Sequence, residues 1–525
     1  MTRHRTASLL LPPALAAAAV YAATLGHGFI YDDVWKIQQL APFAGAVDPA
    51  LLLRPRGLTH LVHQADAALW GVRPFGFHLT NLLLHAAASA LAALAAAALG
   101  AGRRAALLAG LLFALHPVHV EAVAQFTNRK DLLAMVFAAL ALVLWRRRDW
   151  FAWAGALACL ALAVSAKEVA AAGVAPMLVL ADLLPLDGDP PPWRARLRRA
   201  ALRAVPFAVV AVVALAAIGP GAIARGFEPT AISRVTEGRF DAYPQVAAAG
   251  LAALPDQGRL LVFPRRLSAD WRAPAADGFA DHRPWFGIAL ALALAAAFVW
   301  LLRRGRPLAA WAVAWPLVTW LPASNLVPLT PFFVAERYLY VPSFGACLLF
   351  GLAAAATLDT ARSRRRLATA AVALILALAA VRTWTRTADW SSEAALWESA
   401  LAAGQDTVRA RLNLGNAHRF RGETSRAVEQ YRLALARRPT LDARRTLVRN
   451  LALAGAVGAA DEGCEPLLAE LPNDFDCHLI GGEAALARGD REAALDHYRR
   501  ALAARPGDAE VRRKVRRLER SVGRL

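Results

Sequence analysis

Two adjacent carboxylates, Asp32 and Asp33, follow Gly28-Phe29-Ile30-Tyr31 just beyond an apolar run from Ala7 to Leu25. Inside hydrocarbon each would cost about 2.5–3.5 kcal/mol on an insertion scale, so the pair is placed at the water boundary, within reach of a lipid-linked substrate. Other reactive groups recur at that boundary. Leu115-His116-Pro117-Val118-His119-Val120-Glu121 closes one apolar run, Asn128-Arg129-Lys130-Asp131 opens the next, and Lys167-Glu168 and Glu336-Arg337-Tyr338 sit at equivalent depth. Arginine takes a phosphate by paired hydrogen bonds and lysine takes it as a point charge, while a carboxylate can activate a hydroxyl. Together these groups suit transfer of a group from a lipid phosphate.

Each also has a plain structural role open to it. Asp32 and Asp33 can stop a helix and face solvent, and Lys167-Glu168 and Glu336-Arg337 can tie helices together as ion pairs. His116, His119 and Glu121 lack the His-Glu-x-x-His order of a zinc protease, so a protein-ligated metal is not expected. A divalent cation held by Asp32 or Asp33 against a phosphate is the metal role left open. His78, Asn81 and His85 lie on one helix face, where polar residues line a cavity or join a helix contact.

The elements that must position these residues are membrane helices. The chain has 525 residues, 57% of them hydrophobic, with a mean hydropathy of +0.37. Its net charge of +20 comes from arginines in short blocks between apolar runs rather than on one basic surface, which excludes nucleic acid as the reading and fits the positive-inside rule. Requiring close to 20 apolar residues per span predicts about eleven, near 7–25, 77–100, 105–120, 131–145, 150–166, 169–185, 204–223, 285–302, 307–328, 335–357 and 367–382. The first is taken as retained, because no small-residue cleavage site precedes Tyr31. The basic blocks then share the cytoplasmic side, and the Asp32-Asp33 loop, a long segment 224–284 and the C-terminal region share the other. Val246 to Pro264 within that segment, interrupted by Asp256 and Arg259, reads as an interfacial helix.

After 382 the composition turns polar and a repeat of about 34 residues emerges. Gly415, Gly422, Ala427, Tyr431, Ala434 and Pro439 are echoed by Gly482, Gly489, Ala494, Tyr498, Ala501 and Pro506, with a degenerate copy between. This is tetratricopeptide spacing, giving an α-solenoid over 383–525 that ends in a basic capping helix from Val511. Cys464 and Cys477 fall in adjacent helices, as a disulfide in an oxidising compartment or as buried free thiols. The predicted fold is all-α: a polytopic helical membrane domain, 1–382, followed by the repeat domain.

The succession Tyr31-Asp32-Asp33, Arg56-Gly57-Leu58-Thr59, Pro74 to His85, His116 to Val123, Asn128 to Leu133, Lys167-Glu168 and Glu336 to Ser343, ending in tetratricopeptide repeats, resembles the transmembrane-and-tetratricopeptide O-mannosyltransferases of the GT-C class of membrane glycosyltransferases. Gly57 stands where that family commonly has proline, and Asp66 where asparagine is expected. The resemblance implies a GT-C-like membrane domain and inverting transfer of mannose or another hexose from a polyprenyl phosphate to a protein hydroxyl on the extracytoplasmic face. Asp32 or Asp33 would be the base. Arg129, Lys130, Lys167 and Arg337 would hold the phosphate, and His116, His119 and Glu121 would orient the first loop or the acceptor. Glu168, Glu336 and Tyr338 complete the candidate substrate-binding set. The repeats would recruit a protein partner. The Ala- and Arg-rich composition suggests a bacterial inner membrane as the setting. Two readings compete: a transferase for a glycan or lipid acceptor, and a non-catalytic membrane scaffold.

Overall fold

A computed structural model describes residues 3–40, 47–147, 149–186, 191–218, 240, 242–272, 274, 278–326, 332–359, 362–437 and 441–522. Helices account for the regular structure of these residues, and no strand occurs among them. The chain divides into two compact units, Met1–Ala395 and Leu396–Leu525.

The first unit is built from fifteen helices among the described residues: α1 (Arg3–Tyr21), α2 (Asp32–Leu40), α3 (Gly57–Trp70), α4 (Pro74–Ala98), α5 (Arg103–Leu115), α6 (Val120–Ala124), α7 (Arg129–Trp145), α8 (Trp150–Ala166), α9 (Val169–Leu183), α10 (Trp193–Ile218), α11 (Tyr243–Val262), α12 (Arg283–Arg303), α13 (Pro307–Trp320), α14 (Ser343–Leu358) and α15 (Arg362–Asp389). Four stretches, Thr6–Gly26, Pro74–Ala98, Arg283–Arg303 and Arg364–Asp389, are long and apolar enough to cross a membrane, and α5 with Pro117–Ala124 makes a fifth if that bent pair counts as one span. Four further apolar helices are shorter. Small residues set the closest crossings, as expected where lipid offers no hydrophobic drive between helices. At Gly351 of α14 an added Cβ would run into the Ala105 carbonyl of α5.

Several expected spans have different boundaries; the helix at 204–223 starts at Trp193 and the one at 307–328 ends at Trp320. The run 105–120 is broken at His116, with a 49° bend, because Pro117 cannot continue the α-helical bonding. The run 335–357 begins its helix only at Ser343, leaving Glu336–Leu339 as a separate 3-10 turn. Past 382, α15 continues to Asp389. Asp182, unexpected within an apolar run, is met by Arg203 of α10 at 3.4 Å. The interfacial segment forms α11, whose Val246, Ala249, Ala253 and Leu260 pack with Trp320, Phe333, Val334 and Leu339. Residues 224–239 of the long segment lie outside the described residues.

The second unit is a run of antiparallel helix pairs: Val408–Phe420 with Thr424–Leu435, Leu441–Leu453 with Val457–Glu470, and Phe475–Ala487 with Arg491–Ala504, closed by Ala509–Val522. The repeat signature has a direct packing cause. Gly415 and Gly482 face the rings of Tyr431 and Tyr498, where any Cβ would collide, and both tyrosines are fully buried. Pro439 lies outside the described residues. Val511, Val515 and Leu518 of the last helix bury against Tyr498 and Ala501, which makes it a cap.

Cys464 and Cys477 form a disulfide, with Cα atoms 5.3 Å apart, in the core that also holds Leu447, Leu451 and Leu467. In full chain isolated without reductant, mass spectrometry of thiol-labelled peptides is expected to find both cysteines unlabelled until a reductant is added. Labelling of both in the untreated, unfolded sample would place the repeats in a reducing compartment.

Candidate active site

The Asp32-Asp33 pair is split by its helix. Both open α2, but successive residues on a helix do not share a face. Asp33 is buried and accepts the backbone N–H groups of Phe126 at 3.3 Å and Thr127 at 3.0 Å. Burial pushes its carboxyl up to about 7, against the downward pull of the Thr127 and Phe126 bonds and with a small upward push from Asp32. Asp33 thus pins the first loop to the segment after α6. Asp32 is exposed. Its natural partner one turn on, Lys36, instead turns its ammonium to His60 Nδ1 at 3.3 Å. Asp32 consequently meets no hydrogen-bond or ion-pair partner among the described residues.

The cations gather where α3, α7, α8 and the 336–339 turn meet. Lys130, on the first turn of α7, lies within electrostatic range of Arg337, Lys167 and Arg56. Three of the four are neutralised. Arg337 pairs with Glu121, its backbone N–H adding a second bond at 2.8 Å; Lys167 pairs with Asp131; Arg56 holds Glu168 at 2.9 and 3.1 Å. Lys130 donates only to the Thr127 carbonyl at 3.1 Å and Asn128 Oδ1 at 3.2 Å; the acid in its electrostatic range, Asp131, is paired with Lys167, so among the described residues Lys130 has no ion-pair partner of its own. Tyr338 is the floor of this group, with Lys167 5.5 Å and Arg337 5.1 Å from its ring centre.

The sequence neighbours Lys167-Glu168 and Glu336-Arg337 therefore each separate to different partners rather than pairing with one another. Glu336 is fully buried, accepting from the Ser268 N–H and from Arg386 of α15 at 3.4 Å. It fixes the turn that presents Arg337.

Arg129 does not face a phosphate. Its guanidinium is fully buried, ion-paired to Asp66 at 2.6 Å and donating to Asn81 Oδ1 at 2.8 Å and the Phe77 carbonyl at 2.9 Å. An apolar environment accepts a guanidinium only with such partners, so Arg129 is a strut joining α3, α4 and α7. Asp66, standing where asparagine was expected, supplies its countercharge. Gly57 has its own cause: a Cβ there would collide with the Leu51 carbonyl.

His116 and His119 are likewise internal. His116 Nε2 meets the Leu261 carbonyl at 3.0 Å, and His119 Nε2 meets Ser343 Oγ at 2.7 Å. His85 joins them through Tyr340, 2.7 Å from its Nδ1. His78 meets the Gly28 carbonyl at 3.3 Å, and Asn81 donates to the Val123 carbonyl at 3.0 Å. These residues join helices and loops. No group of three or more His, Cys, Asp or Glu suited to a metal ion occurs among the described residues. Lys36 and Arg386 were not among the residues the sequence singled out; for Lys36 the signal was a charge one helical turn from Asp32, and for Arg386 there was none.

No family model matches the chain. It is 27% identical to Protein O-mannosyl-transferase Tmtc1 of Drosophila melanogaster over 532 aligned positions, covering 81% of this chain and 61% of that protein. The chain is similar to the TMTC proteins named as protein O-mannosyl-transferases. To Protein O-mannosyl-transferase TMTC3 of Mus musculus it is 26% identical, covering 76% of this chain and 48% of the other. To TMTC4 of Homo sapiens the identity is 27%, covering 72% and 57%. The chain spans about half to three-fifths of the length of these curated relatives.

Proposed function

We propose that the chain is an inverting glycosyltransferase of the membrane that moves mannose or another hexose from a polyprenyl phosphate to a protein hydroxyl. The observation carrying this reading is an exposed carboxylate, Asp32, without a hydrogen-bond or ion-pair partner among the described residues, on a helix whose Asp33 is bonded to the Thr127 N–H while Lys130 of the cation cluster donates to the Thr127 carbonyl. Asp32 takes the proton of the acceptor hydroxyl as its oxygen attacks the anomeric carbon. The bond to the carrier phosphate breaks with inversion, and Lys130, Lys167 and Arg337 stabilise the charge left on the phosphate. Asp33, Arg129, His116, His119, Glu121 and Glu336 hold the loops that present these groups. Were a divalent cation required, Asp32 would be the carboxylate left to hold it, since Asp33 is buried and committed, and the ion would supply neutralising charge for the donor phosphate.

The setting proposed is a bacterial inner membrane, with the site and the repeats on the extracytoplasmic side, which agrees with the Cys464–Cys477 disulfide. The repeat unit would present the protein acceptor or an envelope partner. The test is purified full chain in nanodiscs with polyprenyl-phosphate mannose and serine- or threonine-containing polypeptides, read by mass spectrometry. Hexose added to hydroxyls supports the proposal. Transfer to lipid or glycan alone moves the acceptor, and no transfer under any condition favours the scaffold.

Lys130 gives a sharper prediction. A hydrogen bond to a charged group contributes about 1.5–3 kcal/mol, so Lys130→Ala is expected to raise the donor KM by about 10- to 100-fold with acceptor KM little altered. An unchanged donor KM would remove Lys130 from the phosphate site.

A further inference from the structure

The last turns of α15 and the start of the following helix, Glu393–Ala402, reach three segments next to candidate site residues: the bend before His116, the turn that carries Arg337 and the loop before Asp32. Thr383 Oγ1 donates to the Leu115 carbonyl at 2.7 Å, at the bend that leads into His116–Glu121. Arg386, fully buried, holds Glu336, the residue before Arg337. The Glu393 carboxylate accepts the backbone N–H of Tyr31, the residue before Asp32. Tyr31 needs such a hold. Its φ of 53° is left-handed, a conformation that costs a non-glycine residue about 1 kcal/mol or more. The turn thrown by Tyr31 sets the direction in which α2 starts and therefore where Asp32 points. All of these residues belong to the first compact unit, although the polar composition beyond 382 gives them the look of repeat sequence.

We propose that Thr383, Arg386 and Glu393 form a brace, and that Glu393 is a positioning residue for Asp32, holding the Tyr31 turn without touching substrate. The catalytic part of this inference rests on the transferase reading; the structural part does not. One consequence is practical: a deletion of 384–525, which looks like removal of the repeats alone, also removes Arg386 and Glu393 and disables the site for a reason unrelated to acceptor recruitment.

The experiment compares full-length wild type, Glu393→Ala and Glu393→Gln in nanodiscs. Hydrogen exchange is followed in peptides covering 28–40, with those covering 150–166 as an internal control, and transfer kinetics are measured on the same preparations. Glutamine keeps a carbonyl oxygen able to accept the Tyr31 N–H. The expected result is at least tenfold faster exchange at Tyr31 in Glu393→Ala, at least a tenfold fall in kcat with the donor KM unchanged, and near wild-type behaviour of Glu393→Gln on both counts. Wild-type exchange in Glu393→Ala overturns the brace, and faster exchange with unchanged kcat overturns the positioning role. If the alanine variant also loosens 150–166, the glutamine variant decides: wild-type protection supports the brace, and loss of protection at 28–40 alone overturns it. If wild type transfers no sugar, the transferase reading fails while the exchange data still decide the brace.

Discussion

Asp32→Asn is expected to lower the kcat of sugar transfer by about 10²–10⁴-fold, the usual contribution of a positioned general base, with both substrate KM values little changed. The geometry makes Asp32 rather than Asp33 the residue to test. Asp32 is exposed and unpartnered among the described residues, whereas Asp33 has its oxygens on the Phe126 and Thr127 N–H groups. Asp33→Asn keeps one acceptor oxygen and loses the other, so its effect should be a smaller fall in kcat accompanied by reduced thermal stability. Steady-state kinetics of the two single variants in nanodiscs, with thermal unfolding of each, separate the roles. A larger kcat loss for Asp33→Asn with stability intact would reverse the assignment. Wild-type turnover in Asp32→Asn would remove the base from this loop.

Asp66→Ala is expected to destabilise the first unit by about 3–5 kcal/mol, because it leaves the buried Arg129 guanidinium without its countercharge. Arg129 also bonds Asn81 and the Phe77 carbonyl, so the disturbance would reach α4 and the start of α7, on which Lys130 stands. Asp66→Asn keeps one acceptor oxygen, for Arg129 or for Thr80, whose hydroxyl donates to Asp66 Oδ1 at 2.7 Å, and should lose less than the alanine variant. Thermal unfolding of the full chain followed by tryptophan fluorescence measures the series. Equal stability of wild type and the alanine variant would show that the pair is not needed to hold the loop.

How far the site could be read from the chain differs residue by residue, and the reason is the range of the interaction. Motifs whose meaning is local were readable. The spacing of Gly415 with Tyr431 and of Gly482 with Tyr498 reports a helix pair closing on itself, and that closure is what the structure contains. The gathering of charged residue types at the ends of apolar runs was readable too, since charge is costly within them. Partner choice was not. Lys167 and Glu168, adjacent in the chain, part to Asp131 and Arg56, and Glu336 and Arg337 part to Arg386 and Glu121. Each of these pairs joins segments far apart in sequence, and nothing in spacing encodes which segments fold beside each other.

Arg129 and Lys130 show the same division at its narrowest. By sequence they are neighbouring cations at the mouth of one helix, equally suited to a phosphate. A rotation of about 100° per helical residue puts Arg129 inward onto Asp66 and Asn81 and leaves Lys130 partly buried among Arg56, Lys167 and Arg337. The amino-acid sequence by itself determined an all-helical chain with long apolar helices, a tetratricopeptide repeat and a set of acids and cations at the ends of apolar runs, because hydropathy, periodicity and the cost of buried charge act over a few residues. Only the tertiary structure decided which carboxylate stands free, which cation lacks a partner and that the polar stretch from Thr383 to Glu393 braces the first loop, because those depend on contacts that chain folding alone creates.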